Sequence, residues 1–190
     1  MLRSACVFLV TVLLVASCTH TINPPKEPFT GYAEAERIPL KVQLRITDEL
    51  RSAKWERKAM GDTWIIPIGK SIAQNADALA HHTFREVVAS GGADADALIT
   101  PRVAYIDQTV GATAAGPSIV TIKVEWAISD AAGNVIWLDT VGGEAKGSAR
   151  TKGRIEELVK KALEEVLLRS QERMSSSQAI RHFAQKTAGG

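Results

Sequence analysis

The sequence predicts an α+β fold, a two-layer sandwich in which a mostly antiparallel sheet of about five strands carries two amphipathic helices on one face. Three observations point to it. Leu40, Val42, Leu44 and Ile46 alternate with Lys41, Gln43, Arg45 and Thr47, the two-residue period of a strand with one buried face. Val120, Ile122, Val124, Trp126 and Ile128 repeat that period against Thr121, Lys123, Glu125 and Ser129. Two longer segments, Lys70 to Ser90 and Arg154 to Met174, instead space their apolar residues at three and four and draw one stripe each. A sheet with one apolar face and two striped helices can bury one another. The opposite sheet face, with Lys41, Arg45, Lys123 and Glu125, is left wet or open to a partner.

Thr19 to Pro39 holds Pro24, Pro25, Pro28 and Pro39 among polar residues and shows no period, so it reads as an extended tether, at ~3.1 Å per residue where polyproline-like. The domain begins at Leu40 with the first alternating strand. Asp48 to Met60 is charged and gives no clear pattern. Thr63 to Ile68 is a short strand rich in Trp64, Ile65 and Ile66, and Pro67 confines it to an edge or a strand end. The first helix then runs from Lys70, with Ser71 as its N-cap, to Gly91-Gly92, which stops it.

Ala97 to Thr109 is a strand with Ile99, Val103 and Tyr105 on one face. Val110 to Pro117 is a small-residue loop. The strand around Val120 to Ile128 follows, then a turn at Asp130 to Asn134 and a returning strand Val135 to Val141, a meander of hairpins. Gly142 to Gly153 reads as a flexible passage. The second helix carries Glu156–Lys160, Glu157–Lys161 and Glu165–Arg169 in the favourable i,i+4 order. Ser175 to Ser177 end it, Gln178 to Gln185 add a helical turn or two, and the tail to Gly190 frays.

The amino terminus carries a different signal. Arg3 gives a short positive region, Cys6 to Val15 is apolar but too short to span a bilayer, and Val15, Ala16 and Ser17 lead into Cys18. This run resembles the bacterial lipoprotein lipobox, an aliphatic residue and two small ones before a cysteine that becomes the mature N-terminus. The resemblance implies that Cys18 bears acyl chains, each buried CH₂ contributing about 0.8 kcal/mol of membrane affinity. In such lipoproteins Asp after the cysteine retains the product at the inner membrane, so Thr19 implies the outer membrane. The chain then divides into a signal at 1–17, a lipidated cysteine and tether at 18–39, a domain at 40–185 and a tail at 186–190.

The formal net charge of +2 offers no basic excess for nucleic acid. Of the two cysteines, Cys6 leaves with the signal and Cys18 goes to lipid. The domain then has no disulfide, thiolate nucleophile or Cys-ligated metal, and packing alone must stabilise it.

No residue pattern announces a reaction. His81 and His82 are adjacent on the first helix and point about 100° apart, so they cannot clamp one metal. His82 and Glu86 lack a third ligand, and His20 and His182 lie in the tether and tail. Asp94 and Asp96 are too few oxygens for a calcium loop. Gly111 to Gly116 joins two strands, with no helix N-terminus to hold a phosphate. Trp64, Trp126 and Trp137 are expected in the core. Trp55, between Lys54 and Glu56-Arg57, is either a half-exposed partner contact or partly buried. The expectation is therefore no catalytic residue, no metal and no cofactor.

The lipobox at Val15 to Cys18, the strand Leu40 to Thr47, the striped helix Lys70 to Ser90, the hairpin Ala97 to Ile128 and the closing Ser177 to Phe183 together resemble small periplasmic lipoproteins of the YajG type. They more distantly resemble the sheet-plus-two-helices domain of the TolB amino-terminal domain and CsgG-like lipoproteins. The resemblance implies a periplasmic scaffold or assembly domain, oligomeric in some members, with no enzymatic residues to carry over. The function expected is a non-catalytic interaction module anchored at the outer membrane, with an envelope protein, a second copy of the chain or both as partner. The alternative is a module binding lipid, glycan or peptidoglycan, with the ligand between sheet and helix or on the Gly111 to Gly116 loop. A sizeable apolar cavity would favour that alternative, and a filled core the first reading.

Overall fold

The computed structural model describes residues 18–59, 62–89, 94–109, 116–148 and 151–188. The architecture is α+β, with a five-stranded sheet, a three-stranded sheet and four helices. The elements are β1 (Thr19–Thr21), β2 (Ile38–Leu44), α1 (Asp48–Ser52), β3 (Trp55–Ala59), β4 (Asp62–Ile66), α2 (Gly69–Thr83), β5 (Phe84–Val88), β6 (Ala97–Thr109), β7 (Ser118–Asp130), β8 (Val135–Gly147), α3 (Lys152–Ser176) and α4 (Gln178–Ala188).

The large sheet runs β5-β2-β6-β7-β8. Its β6-β7-β8 half is the antiparallel meander, and β2 joins it in parallel with β6 on one side and β5 on the other. The alternation in β7 decides which face is buried: Val120, Ile122, Val124, Trp126 and Ile128 are all sealed from solvent. Against them pack α3, over β7 and β8, and α2, over β2 and β5. The α3 stripe Ile155, Leu158, Val159, Ala162, Leu163, Val166 and Leu167 is buried throughout. Helix α4 adds Ile180 and Ala184 to the same core.

Several expectations are corrected. The first helix ends at Thr83, not Ser90, and the chain passes straight into β5. Phe84 to Val88 fits a helical stripe, but Val87 and Val88 are β-branched and find a ladder beside Val42 and Gln43. The helix also starts without a serine cap: Ile68 stands at the N-cap, and Ser71 is buried with its hydroxyl donating to the Pro25 carbonyl at 3.2 Å.

Gly142 to Gly147 is not a loop but the second half of β8. A Cβ on Gly143 would collide with the Ala162 carbonyl and come within 2.7 Å of the Val166 amide nitrogen. Glycine there is what lets α3 lie directly on the strand.

Tyr105 is off the buried face. A bulge between Val103 and Tyr105 shifts the register, so that Ile106 and Gln108 turn inward and Tyr105 is 48% exposed. Trp64 and Trp137 are only partly buried, whereas Trp126 fills the core. Within the pattern-poor stretch Asp48 to Met60, the described residues form α1, capped by the Thr47 hydroxyl, and β3.

The last correction concerns the segment expected to be a tether. Within the described residues it is laid onto the domain. Ile22 is fully buried and Tyr32 nearly so, and both belong to the same core cluster as Leu40 and Leu163.

Candidate functional site

The candidate site is built around Cys18. This residue is exposed and immediately precedes β1. Its carbonyl accepts from the Thr63 amide at 2.9 Å, and β1 then pairs in parallel with β4, Thr19 beside Thr63, His20 beside Trp64 and Thr21 beside Ile65. The His20 ring stacks on Trp64 at 4.5 Å, and its Nε2 lies 3.4 Å from the Asp62 carboxylate. The Ile22 amide donates to the Ile65 carbonyl at 2.8 Å as its side chain enters the core. Val15, Ala16 and Ser17 lie outside the described residues.

Beyond Ile22 the chain crosses α3 and α2 as a strap, and long-range side chains serve its backbone. The Asn23 amide donates to Glu156 at 3.0 Å and the Phe29 amide to Asn75 Oδ1 at 2.7 Å. Gln171 takes both backbone groups of Ala33, its Oε1 accepting from the amide at 2.9 Å and its Nε2 donating to the carbonyl at 2.8 Å. Tyr32 donates to the Asn75 carbonyl at 3.2 Å, and burial pushes its phenol well above the ordinary range. A proline-rich run has no ladder of its own, so these side chains satisfy the groups it buries.

A surface cleft of about 510 Å³ opens between this strap and α3, lined by Pro25, Phe29, Asn75, Lys160, Leu163 and Leu167. Leu163 and Leu167 at its floor also belong to the apolar cluster buried between sheet and helices.

The uncovered sheet face holds the charged residues expected on it. Arg102 meets Glu125 through two hydrogen bonds of 3.1 Å, Lys41 lies 3.6 Å from Glu86, and Lys123 stands 5.6 Å from the centre of the Tyr105 ring. The Glu125 partner holds the Arg102 guanidinium above its ordinary range. Leu138, at 58% exposure, and Val135, at 63%, lie on the edge strand β8.

The remaining candidates are placed as follows. Trp55 is partly buried against the core, at the start of β3 opposite Ile66. His81 and His82 are exposed at the end of α2, His81 3.9 Å from Asp77 and His82 beside the Tyr32 ring at 4.8 Å. Glu86 sits on β5, so it shares no helix with His82. Asp96 accepts from the Lys41 amide at 2.8 Å, a loop-anchoring role. Residues 110–115 of the glycine loop lie outside the described residues. Among the described residues no group of three His, Cys, Asp or Glu is placed to hold a metal ion, and no helix is long and apolar enough to cross a membrane.

No family model matches the chain, and no curated protein matches its sequence. Among solved structures, the chain is similar to a protein of the DUF330 family from Xanthomonas campestris, at 10% identity and a TM-score of 0.55, over 92% of this chain and 100% of that one. It overlaps a minor lipoprotein from Acinetobacter baumannii at 13% identity and a TM-score of 0.46, over 74% and 94% of the two chains. A lipoprotein described as putative, from Caulobacter crescentus, overlaps at 13% identity and a TM-score of 0.39, over 64% and 83%. The first likeness establishes a shared architecture and nothing about activity. None of these three is described as a YajG-type, TolB or CsgG-like protein.

Proposed function

We propose that this chain is a bacterial envelope lipoprotein, acylated at Cys18, held on the periplasmic face of the outer membrane and acting there as a non-catalytic interaction or assembly module. The observation that carries the reading is Val15-Ala16-Ser17-Cys18 at the end of a short apolar segment behind Arg3. The exposure of Cys18 at the rim of the small sheet supports it, because acyl chains attached there meet no buried packing. Thr19 in place of Asp favours the outer membrane. The continuous apolar cluster buried between sheet and helices supports an interaction module over a module that takes a lipid or glycan inside. The uncovered sheet face, with Arg102, Glu125, Lys123 and Tyr105, is the surface offered to a protein partner.

Density-gradient separation of the envelope tests the placement. The wild-type protein should band with the outer membrane and Cys18→Ser should be released in soluble form. Recovery of both in the inner membrane would overturn the assignment. A photo-crosslinking residue at Thr121, on the uncovered face, should capture an envelope protein that the same residue at Lys152 does not.

A further inference from the structure

We infer that the rim of the small sheet where β4 begins, with Lys58 and Arg57 of β3 two strands from Cys18, rests on the phospholipid headgroups of the leaflet that holds the acyl chains. The inference rests on acylation of Cys18, and it adds an orientation that acylation alone does not give.

Chain length and strand register set this orientation. Ile22 is fixed in the core, and only three residues separate it from Cys18. At ~3.3 Å per strand residue, Cys18 stands no more than about 13 Å from that buried point. Those three residues are not slack, since they form β1 and are paired to β4. The order β1-β4-β3 places Thr19 beside Thr63, and Thr63 beside Lys58. Strands lie about 4.8 Å apart, so Lys58 stands two strand spacings, roughly 10 Å, from the anchored end. A diacylglyceryl group on Cys18 must place its ester region at headgroup depth. The rim that shares Cys18's end of the sheet is then brought to the same depth, with no tether to hold it away.

The charges suit that neighbour. Lys58 and Arg57 are exposed; of the carboxylates near them, Asp62 lies beside His20 and Glu56 is paired with Lys54 at 2.9 Å. Basic side chains close to a phospholipid surface are attracted to its phosphates. The Arg57 guanidinium also donates to the Gln108 carbonyl at 3.3 Å, which ties this rim to the end of β6. From there β6 and its partner β7 run away from the rim to the Asp130 turn, roughly 35 Å off at strand rise.

The test uses the full-length acylated protein, its Cys18 modification confirmed by intact mass before use. Lys58→Cys and Ala131→Cys each supply one labelling thiol, because Cys18 is consumed by lipid. Each carries a bimane fluorophore and is reconstituted into vesicles of three parts phosphatidylethanolamine to one part phosphatidylglycerol, doped with a lipid bearing a nitroxide on its headgroup. Circular dichroism confirms that both variants are folded. The label at residue 58 should be quenched at least three-fold more strongly than the label at 131. Equal quenching at the two positions would overturn the inference, because it would mean that β1 peels from β4 and the domain tumbles on a leash. If Cys18 is not acylated, the mass shows no added lipid and the protein does not stay with the vesicles. That result refutes the lipoprotein reading itself and is not confused with equal quenching.

Discussion

Gly143 determines how closely α3 approaches the sheet, and its neighbour Gly142 provides the control. A side chain at 143 would strike the backbone of α3 at Ala162 and Val166, where nothing can yield without moving the helix. A side chain at 142 would meet Lys123 Cγ at 3.5 Å, an ordinary contact with a flexible neighbour. Gly143→Ala should therefore destabilise the fold by about 1–3 kcal/mol, the usual cost of overpacking, while Gly142→Ala should change it by less than about 0.5 kcal/mol. Urea denaturation of the two variants measures this. A second residue-level expectation concerns Asp130. Its carboxylate accepts from the Asn134 amide at 2.8 Å and from Asn134 Nδ2 at 2.9 Å, and these bonds hold it below the usual carboxylate range. A carboxyl depressed in the folded state contributes stability that is complete above its unfolded pKa of about 3.9 and is lost as pH falls through the folded value. Asp130→Asn should be less stable than wild type at neutral pH. The gap between their urea midpoints should close as pH falls from about 5 towards 2.

At the scale of elements, the strap from Asn23 to Arg37 most changes how the molecule is understood. A passive tether would tolerate an equally long Gly/Ser replacement of residues 23–35. The structure instead makes Tyr32 part of the core and gives Ala33 two hydrogen bonds to Gln171. The replacement should therefore lower stability, and Ile22→Ala alone should cost about 2–5 kcal/mol. Equilibrium unfolding checks both, and an unchanged midpoint for each would restore the tether. The strap was illegible in the sequence for a physical reason. Ile22, Phe29 and Tyr32 are isolated apolar residues without a period, and their partners lie far away, Gln171 at a separation of 138 residues. Local pattern also misled at Phe84 to Val88, where a helical stripe and a β-branched run coincide and only the ladder to β2 decides. By contrast, the strands at Leu40 and Val120 and the long helix α3 were legible, because each repeats one period over many residues and buries the face that period selects. Two of the three expected ion pairs of α3 form, Glu157–Lys161 at 3.0 Å and Glu165–Arg169 at 2.6 Å. The third does not, because Glu156 turns to Lys152 and the strap's Asn23.

For the whole molecule, the two-layer arrangement was legible and the second sheet was not. The small sheet needs β1, which supplies three residues from outside the expected domain boundary, and β3, which lies in a charged stretch without alternation. That sheet joins the fold to Cys18, the proposed anchor point. It turns a cysteine expected at the far end of a flexible chain into one fixed on the surface of the domain. The lipobox resemblance rests on the sequence alone, and the pairing that places Cys18 beside β4 was illegible there, since nothing local in Thr19 to Thr21 announces a partner at Thr63 to Ile65. Metabolic labelling with a clickable fatty acid is the decisive check on lipid at Cys18. The wild-type protein should take up the label and yield an N-terminal peptide beginning at modified Cys18, while Cys18→Ser should take up none. Equal labelling of the two proteins, or a mature N-terminus other than Cys18, would contradict the account.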